Sequence, residues 1–80
     1  MAKEQNLQIY VEPKVSIGIP VFNGAKTLTK TIEAAINQDY KNIEIIISDN
    51  ASTDETRSIA EKFLEIDSRI RYIRQEKNIG

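Results

Sequence analysis

A run of apolar β-branched residues that ends abruptly in polar ones constrains the fold more than any other stretch. Ile45-Ile46-Ile47 is followed at once by Ser48-Asp49-Asn50. Apolar residues at successive positions are typical of a strand that is buried on both faces, as in a parallel sheet. Ligands of open α/β sheets bind at the carboxyl ends of such strands. We therefore expect Asp49 and Asn50 to lie near a ligand.

The residues after this strand predict a helix. Ser52 and Glu55 stand at the S-x-x-E spacing of a capping box, which places the helix start at about Thr53. Asn23 is a candidate N-cap for an earlier helix, because it precedes a stripe of apolar residues at helical spacing. The complete pattern predicts strands at 15–20, 43–48 and 70–73 or 74, and helices at 25–38 and 53–66.

This alternation of strands and helices predicts an α/β fold. Two right-handed crossovers in the same direction give a parallel sheet of order 3-2-1 with both helices on one face. Such a unit is half of a doubly wound, Rossmann-like fold. Residues 15–80 form this domain, and residues 1–14 are either a mobile leader or a short edge strand, since Leu7, Ile9 and Val11 alternate with polar residues.

Composition narrows the classes of function. The 80 residues include no Cys and no His, which excludes disulfides, Cys/His zinc sites, thiol nucleophiles and imidazole bases within them. A net charge of −1 gives no electrostatic reason to expect nucleic acid as a partner. No apolar run approaches the roughly 20 residues of a membrane span, so we expect no membrane contact from this segment and a cytoplasmic location.

The ends of the first two strands carry groups that suit a nucleotide. Phe22 offers an aromatic ring, Asp49 a carboxylate and Asn50 an amide, while the N–H groups at helix starts favour an anion. Other roles compete: Phe22 in the core, Asp49 and Asn50 in turns or caps, and Asp54 at the helix dipole. Neither the dinucleotide-binding glycine pattern nor the P-loop pattern is present.

Four motifs resemble those of family 2 glycosyltransferases. Residues 15–23, VSIGIPVFN, are similar to the family's V-S-I-I-I-P-x-Y-N, and residues 44–54 to its E-I-I-V-V-D-D-G-S-T-D. Residues 38–40 resemble its Q-T/D-Y and residues 78–80 its N-x-G. The motifs occur in the family's order and spacing over residues 15–80. The resemblance implies a GT-A fold and a nucleotide-sugar donor, UDP-linked.

The resemblance also implies which residues bind the donor. Five positions match the nucleotide-binding motifs, namely Pro20, Phe22, Asn23, Asp49 and Asn50, and two match a loop on the diphosphate side, namely Asn78 and Gly80. Asn50 and Ala51 depart from the common D-D-G, with an amide in place of the second acid. This departure leaves the identity of the base open.

The family's D-x-D motif and its catalytic base lie further along than residue 80. The resemblance therefore implies an N-terminal fragment of an inverting glycosyltransferase, inactive alone. A divalent metal, Mn or Mg, is expected for the parent enzyme, with no ligands or catalytic residues in this chain. The parent enzyme is expected in the cytoplasm or at the cytoplasmic face of the membrane. The alternative is a non-catalytic, flavodoxin-like nucleotide-sensing or interaction module. Because one face of the predicted half-sheet has no helix, we also expect the isolated chain to form a homo-oligomer.

Overall fold

A computed structural model describes residues 13–77 and gives a β-α-β-α-β unit. The elements are β1 (Val15–Val21), α1 (Ala25–Ile36), β2 (Ile43–Asp49), α2 (Thr56–Ile66) and β3 (Ile70–Arg74). The predicted leader or edge strand falls almost wholly outside the described residues, as do Asn78 and Gly80. Neither helix in the described part of the chain combines the length and the apolar character needed to cross a membrane.

The three strands form one parallel sheet with β2 in the centre. Val15 pairs with Ile43 at the start of β1, and Val21 pairs with Asp49 at its end. On the other side of β2, Ile45 pairs with Ile70 and Asp49 with Arg74. The predicted parallel order, with the central strand second in the chain, is confirmed.

Both helices pack on the same face of the sheet, here called the helix face. Alternate residues of β2 are buried on it: Ile43, Ile45, Ile47 and Asp49. They form one core with Leu28, Ile32 and Ala35 of α1, Ala60 of α2, Ile19 of β1 and Ile70 of β3. Because this core joins both helices to all three strands, it fixes the strand ends relative to one another.

The opposite face of the sheet, here called the open face, has no helix packed on it within residues 13–77. Gly18 and Ile46 lie in one row of this face with Arg71, and Pro20 and Ser48 lie in the next row with Ile73. Ser16 pairs with Glu44 one row below Gly18 and Ile46. An added Cβ at Gly18 would meet no atom within 4 Å, so no close backbone approach explains this glycine among the described residues. Glu44 accepts hydrogen bonds from Ser16 and Arg71, which forms a polar row across the strands.

Strand β1 continues one residue past its predicted end. Pro20 does not stop the ladder, because it lies in a strand that has a neighbour on one side only in the described sheet. The Val21 carbonyl accepts the Asn50 N–H at 2.9 Å. Since the backbone groups of adjacent strand residues point to opposite sides, those of Pro20 point away from β2 and no N–H is missed.

The predicted start of α1 at residue 25 is confirmed, but the predicted caps of both helices, the start of α2 and the end of α1 are wrong. Helix α2 begins at Thr56, three residues later than the capping-box spacing indicated, and Ser52 makes no cap bond to it. Helix α1 is preceded by Gly24, not Asn23, and ends at Ile36 instead of Gln38. The side chains expected to cap their own helices instead bond to the neighbouring loop, as described below.

Candidate functional site

The two loops at the carboxyl edge of the sheet are joined by direct hydrogen bonds. The Asn23 N–H donates to Ser52 Oγ at 2.8 Å, and the Thr53 N–H donates to Asn23 Oδ1 at 2.8 Å. Further along, the Gly24 N–H donates to Thr56 Oγ1 at 3.1 Å. These bonds hold the β1–α1 loop, which carries Phe22, against the β2–α2 loop.

Asp54 and the backbone conformation of two residues complete this junction. The Asp54 carboxylate accepts the N–H groups of Thr56 and Ala25 at 2.9 and 3.2 Å, so it serves the starts of both helices. The Thr56 side chain above all, and then these two backbone hydrogen bonds, lower the pKa of the Asp54 carboxyl. Asn23 and Ala51 have positive φ values of 50° and 61°, which turn the chain sharply after each strand.

Gly24 permits the close packing of the first loop. A Cβ built on Gly24 would lie 2.6 Å from Val21 Cγ2, inside the contact distance of two carbon atoms. The loop therefore approaches the end of β1 more closely than a residue with a side chain allows. Glycine at this position lets the chain turn from β1 into α1 immediately behind Phe22.

Asp49 lies on the helix face and is fully buried, with 0% of its surface exposed. Its carboxylate accepts the Ser52 N–H at 2.9 Å, the Tyr72 hydroxyl and the Arg74 guanidinium, whose Nη1 lies 3.2 Å from Oδ2. The same Arg74 nitrogen donates to the Ser52 carbonyl at 2.9 Å. Asp49 thus ties the end of β3 to the loop that carries Asn50 and Ala51.

The ionised form of Asp49 is favoured by its surroundings. Burial raises the pKa of the Asp49 carboxyl, but hydrogen bonds from Ser52 and Tyr72 and the charge of Arg74 outweigh it, so the pKa lies below its ordinary value. Burial and the hydrogen bond to Asp49 both raise the pKa of Tyr72. At neutral pH the cluster therefore contains a carboxylate, a neutral phenol and a guanidinium.

A cavity of about 370 Å³ opens at the carboxyl edge of the sheet, beside this cluster. It is lined by Pro20, Val21 and Phe22 from β1 and the residue after it, Ser48 and Asn50 from β2 and the residue after it, and Gln75 after β3. None of these six side chains is ionisable. Phe22 is 51% exposed and is not part of the core.

The strand register explains why these residues meet. The last paired row of the sheet is Val21, Asp49 and Arg74. The next residue of each strand extends the ladder: the Asn50 N–H donates to the Val21 carbonyl, and the Gln75 N–H donates to the Asp49 carbonyl at 2.8 Å. Since successive side chains in a strand alternate between faces, the residues that follow Asp49 and Arg74 turn away from the helix face.

The predicted site residues divide into three groups. Pro20, Phe22 and Asn50 line the cavity together. Asp49 and Asn23 lie behind it: Asp49 is enclosed by its own partners, and Asn23 joins the two loops. Asn78 and Gly80 are outside the described residues.

Val21, Ser48 and Gln75 line the cavity but were not predicted as site residues. Gln75 could have been found from the sequence. Its position immediately after β3, whose carboxyl end lies beside that of β2, was the available signal.

The described residues do not provide a metal site. Within residues 13–77, no group of three Asp or Glu side chains is arranged so that it could hold a metal ion. Asp49 is bonded to Tyr72 and Arg74, and Asp54 to backbone N–H groups, so neither carboxylate presents a free oxygen pair towards the cavity. The Mn or Mg that the resemblance implies would need ligands from elsewhere.

Comparison with known proteins finds glycosyltransferases as relatives. The model of "Glycosyl transferase family 2" matches residues 16–80. The chain is 42% identical over 66 residues to glycosyltransferase GlyA of Streptococcus pneumoniae, covering 82% of this chain and 10% of the relative. It is 43% identical over 60 residues to GalNAc(5)-diNAcBac-PP-undecaprenol beta-1,3-glucosyltransferase of Campylobacter jejuni, covering 75% of this chain and 19% of that protein.

These relatives are much longer than the matched region. A third, glycosyltransferase GlyG of Streptococcus pneumoniae, is 38% identical over 66 residues, which are 82% of this chain and 22% of that protein. The chain therefore spans between a tenth and about a quarter of the curated relatives it matches. The family model covers residues 16–80 of the 80, in agreement with the resemblance of the motifs. The chain belongs to glycosyl transferase family 2.

Proposed function

We propose that this chain is the nucleotide-binding part of an inverting glycosyltransferase whose donor is a nucleoside diphosphate sugar, UDP-linked. The single observation that carries the proposal is the cavity at the strand ends, in which the exposed Phe22 ring stands beside the Asn50 amide. An aromatic face binds a nucleobase by stacking, and an amide can both donate to and accept from the base edge.

In the whole enzyme, the acceptor hydroxyl oxygen would attack the anomeric carbon of the donor sugar. A base would take the hydroxyl proton while the bond from the anomeric carbon to the diphosphate oxygen breaks. A divalent cation would stabilise the departing diphosphate. The base and the cation ligands would come from residues other than 13–77, whose part in the reaction is to bind and orient the nucleoside.

Titration of the 80-residue chain with UDP, followed by amide NMR shifts, tests the binding site. Shifts should appear first in residues 22–24 and 49–52, with an affinity in the millimolar range, about −4 kcal/mol. Phe22→Ala should weaken binding about tenfold through loss of stacking. Leu64→Ala, an exposed apolar change on α2, is the matched control. Shifts confined to residues 61–68 would refute the site.

A separate assay tests whether the 80-residue chain lacks transferase activity. We expect no sugar transfer when the 80-residue chain is incubated with a panel of nucleotide sugars, Mn²⁺ and acceptor alcohols. Turnover by the purified chain, retained after gel filtration and lost in Phe22→Ala, would contradict the fragment assignment. A flavodoxin-like sensing module remains the alternative, and it would bind nucleotide without turnover in any longer form of the protein.

A further inference from the structure

Gln75 lies at the wall of the cavity, where its side chain can contact the edge of a bound nucleobase. It is the first residue after β3 and lines the same cavity as Phe22 and Asn50. Its N–H donates to the Asp49 carbonyl at 2.8 Å, which fixes its backbone to the end of the central strand. Among residues 13–77, no hydrogen bond engages its side-chain amide, so the amide is available to a ligand.

The distance between neighbouring strands limits the size of a ligand that can lie between Phe22 and Gln75. Neighbouring strands are about 4.8 Å apart, so Phe22 and Gln75, at the ends of the two outer strands, are separated by roughly 10 Å. A base that stacks on the Phe22 ring and extends towards β3 would pass the end of β2. Asn50 lies in the middle of that path and Gln75 at its far end.

The carboxylate nearest to the cavity is already in use by the protein. Asp49 is 0% exposed and accepts hydrogen bonds from the Ser52 N–H, Tyr72 and Arg74 on the helix face. Turning Asp49 towards the cavity would break these hydrogen bonds of a fully buried carboxylate, which is costly. The side chains at the cavity wall are instead the two carboxamides, Asn50 and Gln75, and the Ser48 hydroxyl.

From this geometry we propose that Gln75 is a specificity-determining residue that reads the base edge together with Asn50, and that Asp49 is a positioning residue behind them. This inference rests on the proposed function. A carboxamide has both donors and an acceptor, so it can complement a uracil edge or a cytosine edge by turning its amide. The ligand class is thus a nucleotide with a pyrimidine base, read by neutral groups.

The test compares two nucleotides on the complete 80-residue chain. Uridine and cytidine 5′-monophosphate are titrated separately by amide NMR shifts, with inorganic phosphate as the probe for phosphate contacts alone. Gln75→Ala should weaken both nucleotides about fivefold, the size expected for one hydrogen bond, and leave phosphate unchanged. Gln75→Glu should change the uridine-to-cytidine affinity ratio about tenfold, because a carboxylate accepts but cannot donate.

Glu76→Gln is the matched control, since Glu76 is the exposed neighbour of Gln75 and does not line the cavity. It should leave both affinities and their ratio unchanged. An unaltered ratio in Gln75→Glu, in a chain that still binds both nucleotides and retains its amide spectrum, would overturn the role of Gln75 while the proposed function stands. If the wild-type chain binds neither nucleotide, the proposed function fails and this inference fails with it.

Discussion

The helix face and the open face belong to the same three strands but serve different purposes. On the helix face, every second residue of β2 is buried, from Ile43 to Asp49. On the open face, Ile46 is half-buried and Ile73 is 53% exposed. The difference continues at the end of β2. The Asp49 carboxylate points into the protein and accepts hydrogen bonds from Tyr72 and Arg74, while Asn50, one residue later, lines the cavity.

This contrast shows how adjacent polar residues acquire different roles. Alternation along a strand assigns one side chain to the core side and the next to the cavity side, whatever their chemistry. Arg74 and Gln75 repeat the division on β3, with Arg74 bonded to Asp49 and Gln75 at the cavity. A charged residue at a strand end can therefore be structural, and its neutral neighbour can be the one that contacts a ligand.

The largest expected effect is a difference in folding stability between a variant of the helix face and a variant of the open face. Ile47→Ala removes a fully buried side chain from the helix face, so it should lower the free energy of unfolding by about 2–5 kcal/mol. Ile73→Ala, on the open face, should cost less than about 1 kcal/mol because the side chain is already half in water. Chemical denaturation of both variants measures the two changes in the free energy of unfolding. Equal losses would mean that the open face is packed as tightly as the helix face.

The second prediction concerns the buried carboxylate behind the site. Asp49→Asn should lower the free energy of unfolding by about 1.5–3 kcal/mol at pH 7, since hydrogen bonds to the charged group are lost. The folded-state pKa of Asp49 is lowered, so its stabilising contribution is present above the unfolded-state pKa and is lost as pH falls through the folded-state pKa. The difference from wild type should therefore shrink as the pH is lowered into the acid range.

Denaturation melts at a series of pH values provide the measurement for Asp49. Asp39→Asn is the control, because Asp39 is an exposed carboxylate in the loop after α1. It should change stability by no more than about 0.5 kcal/mol at any pH. A deficit in Asp49→Asn that stays constant down to low pH would show that the carboxylate charge is not what stabilises the cluster.

The parts of the fold that depend on periodic patterns were predictable from the sequence. The three strands, their parallel order and the shared face of the helices were predicted correctly, because they follow from apolar periodicity and the handedness of crossovers. Phe22 is exposed and Asn50 lines the cavity, while their contact with a ligand stays a prediction. These features can be predicted without knowing which side chains form hydrogen bonds between loops.

The parts that depend on contacts between loops were not predictable. The Ser52–Glu55 spacing fits a capping box, but Ser52 Oγ accepts the N–H of Asn23, 29 residues earlier in the chain. Likewise Asn23, a plausible local cap, accepts the Thr53 N–H. A hydroxyl or amide near a helix start has both local and distant partners available, and sequence spacing cannot rank them. Gln75 was missed because the alternation was not followed beyond Arg74.

The third prediction follows from that correction. Ser52→Ala should lower the free energy of unfolding by about 1 kcal/mol, because the Asn23 N–H loses its acceptor at a residue that is only 4% exposed. Ser58→Ala is the control: its hydroxyl bonds to the Glu55 carbonyl on the exposed side of α2. Hydrogen exchange should locate the change at Asn23 in Ser52→Ala. Faster exchange limited to the first turn of α2 would restore the cap interpretation.

The smallest expected effect concerns association of the isolated chain, which stays a prediction. The open face presents Ile46 and Ile73 beside the polar row of Ser16, Glu44 and Arg71, so its apolar area is modest. Self-association through this face should accordingly be weak, visible in sedimentation only as a gradual rise in apparent mass with concentration.

Ile73→Lys tests whether the open face is responsible. A lysine there would replace an exposed apolar side chain of the open face with a charge, so the concentration dependence should disappear. Ile66→Lys is the matched control, because Ile66 is 70% exposed but lies at the end of α2, away from the open face. Loss of association in both variants, or in Ile66→Lys alone, would place the contact elsewhere. The two faces would then differ in packing but not in their tendency to associate with another chain.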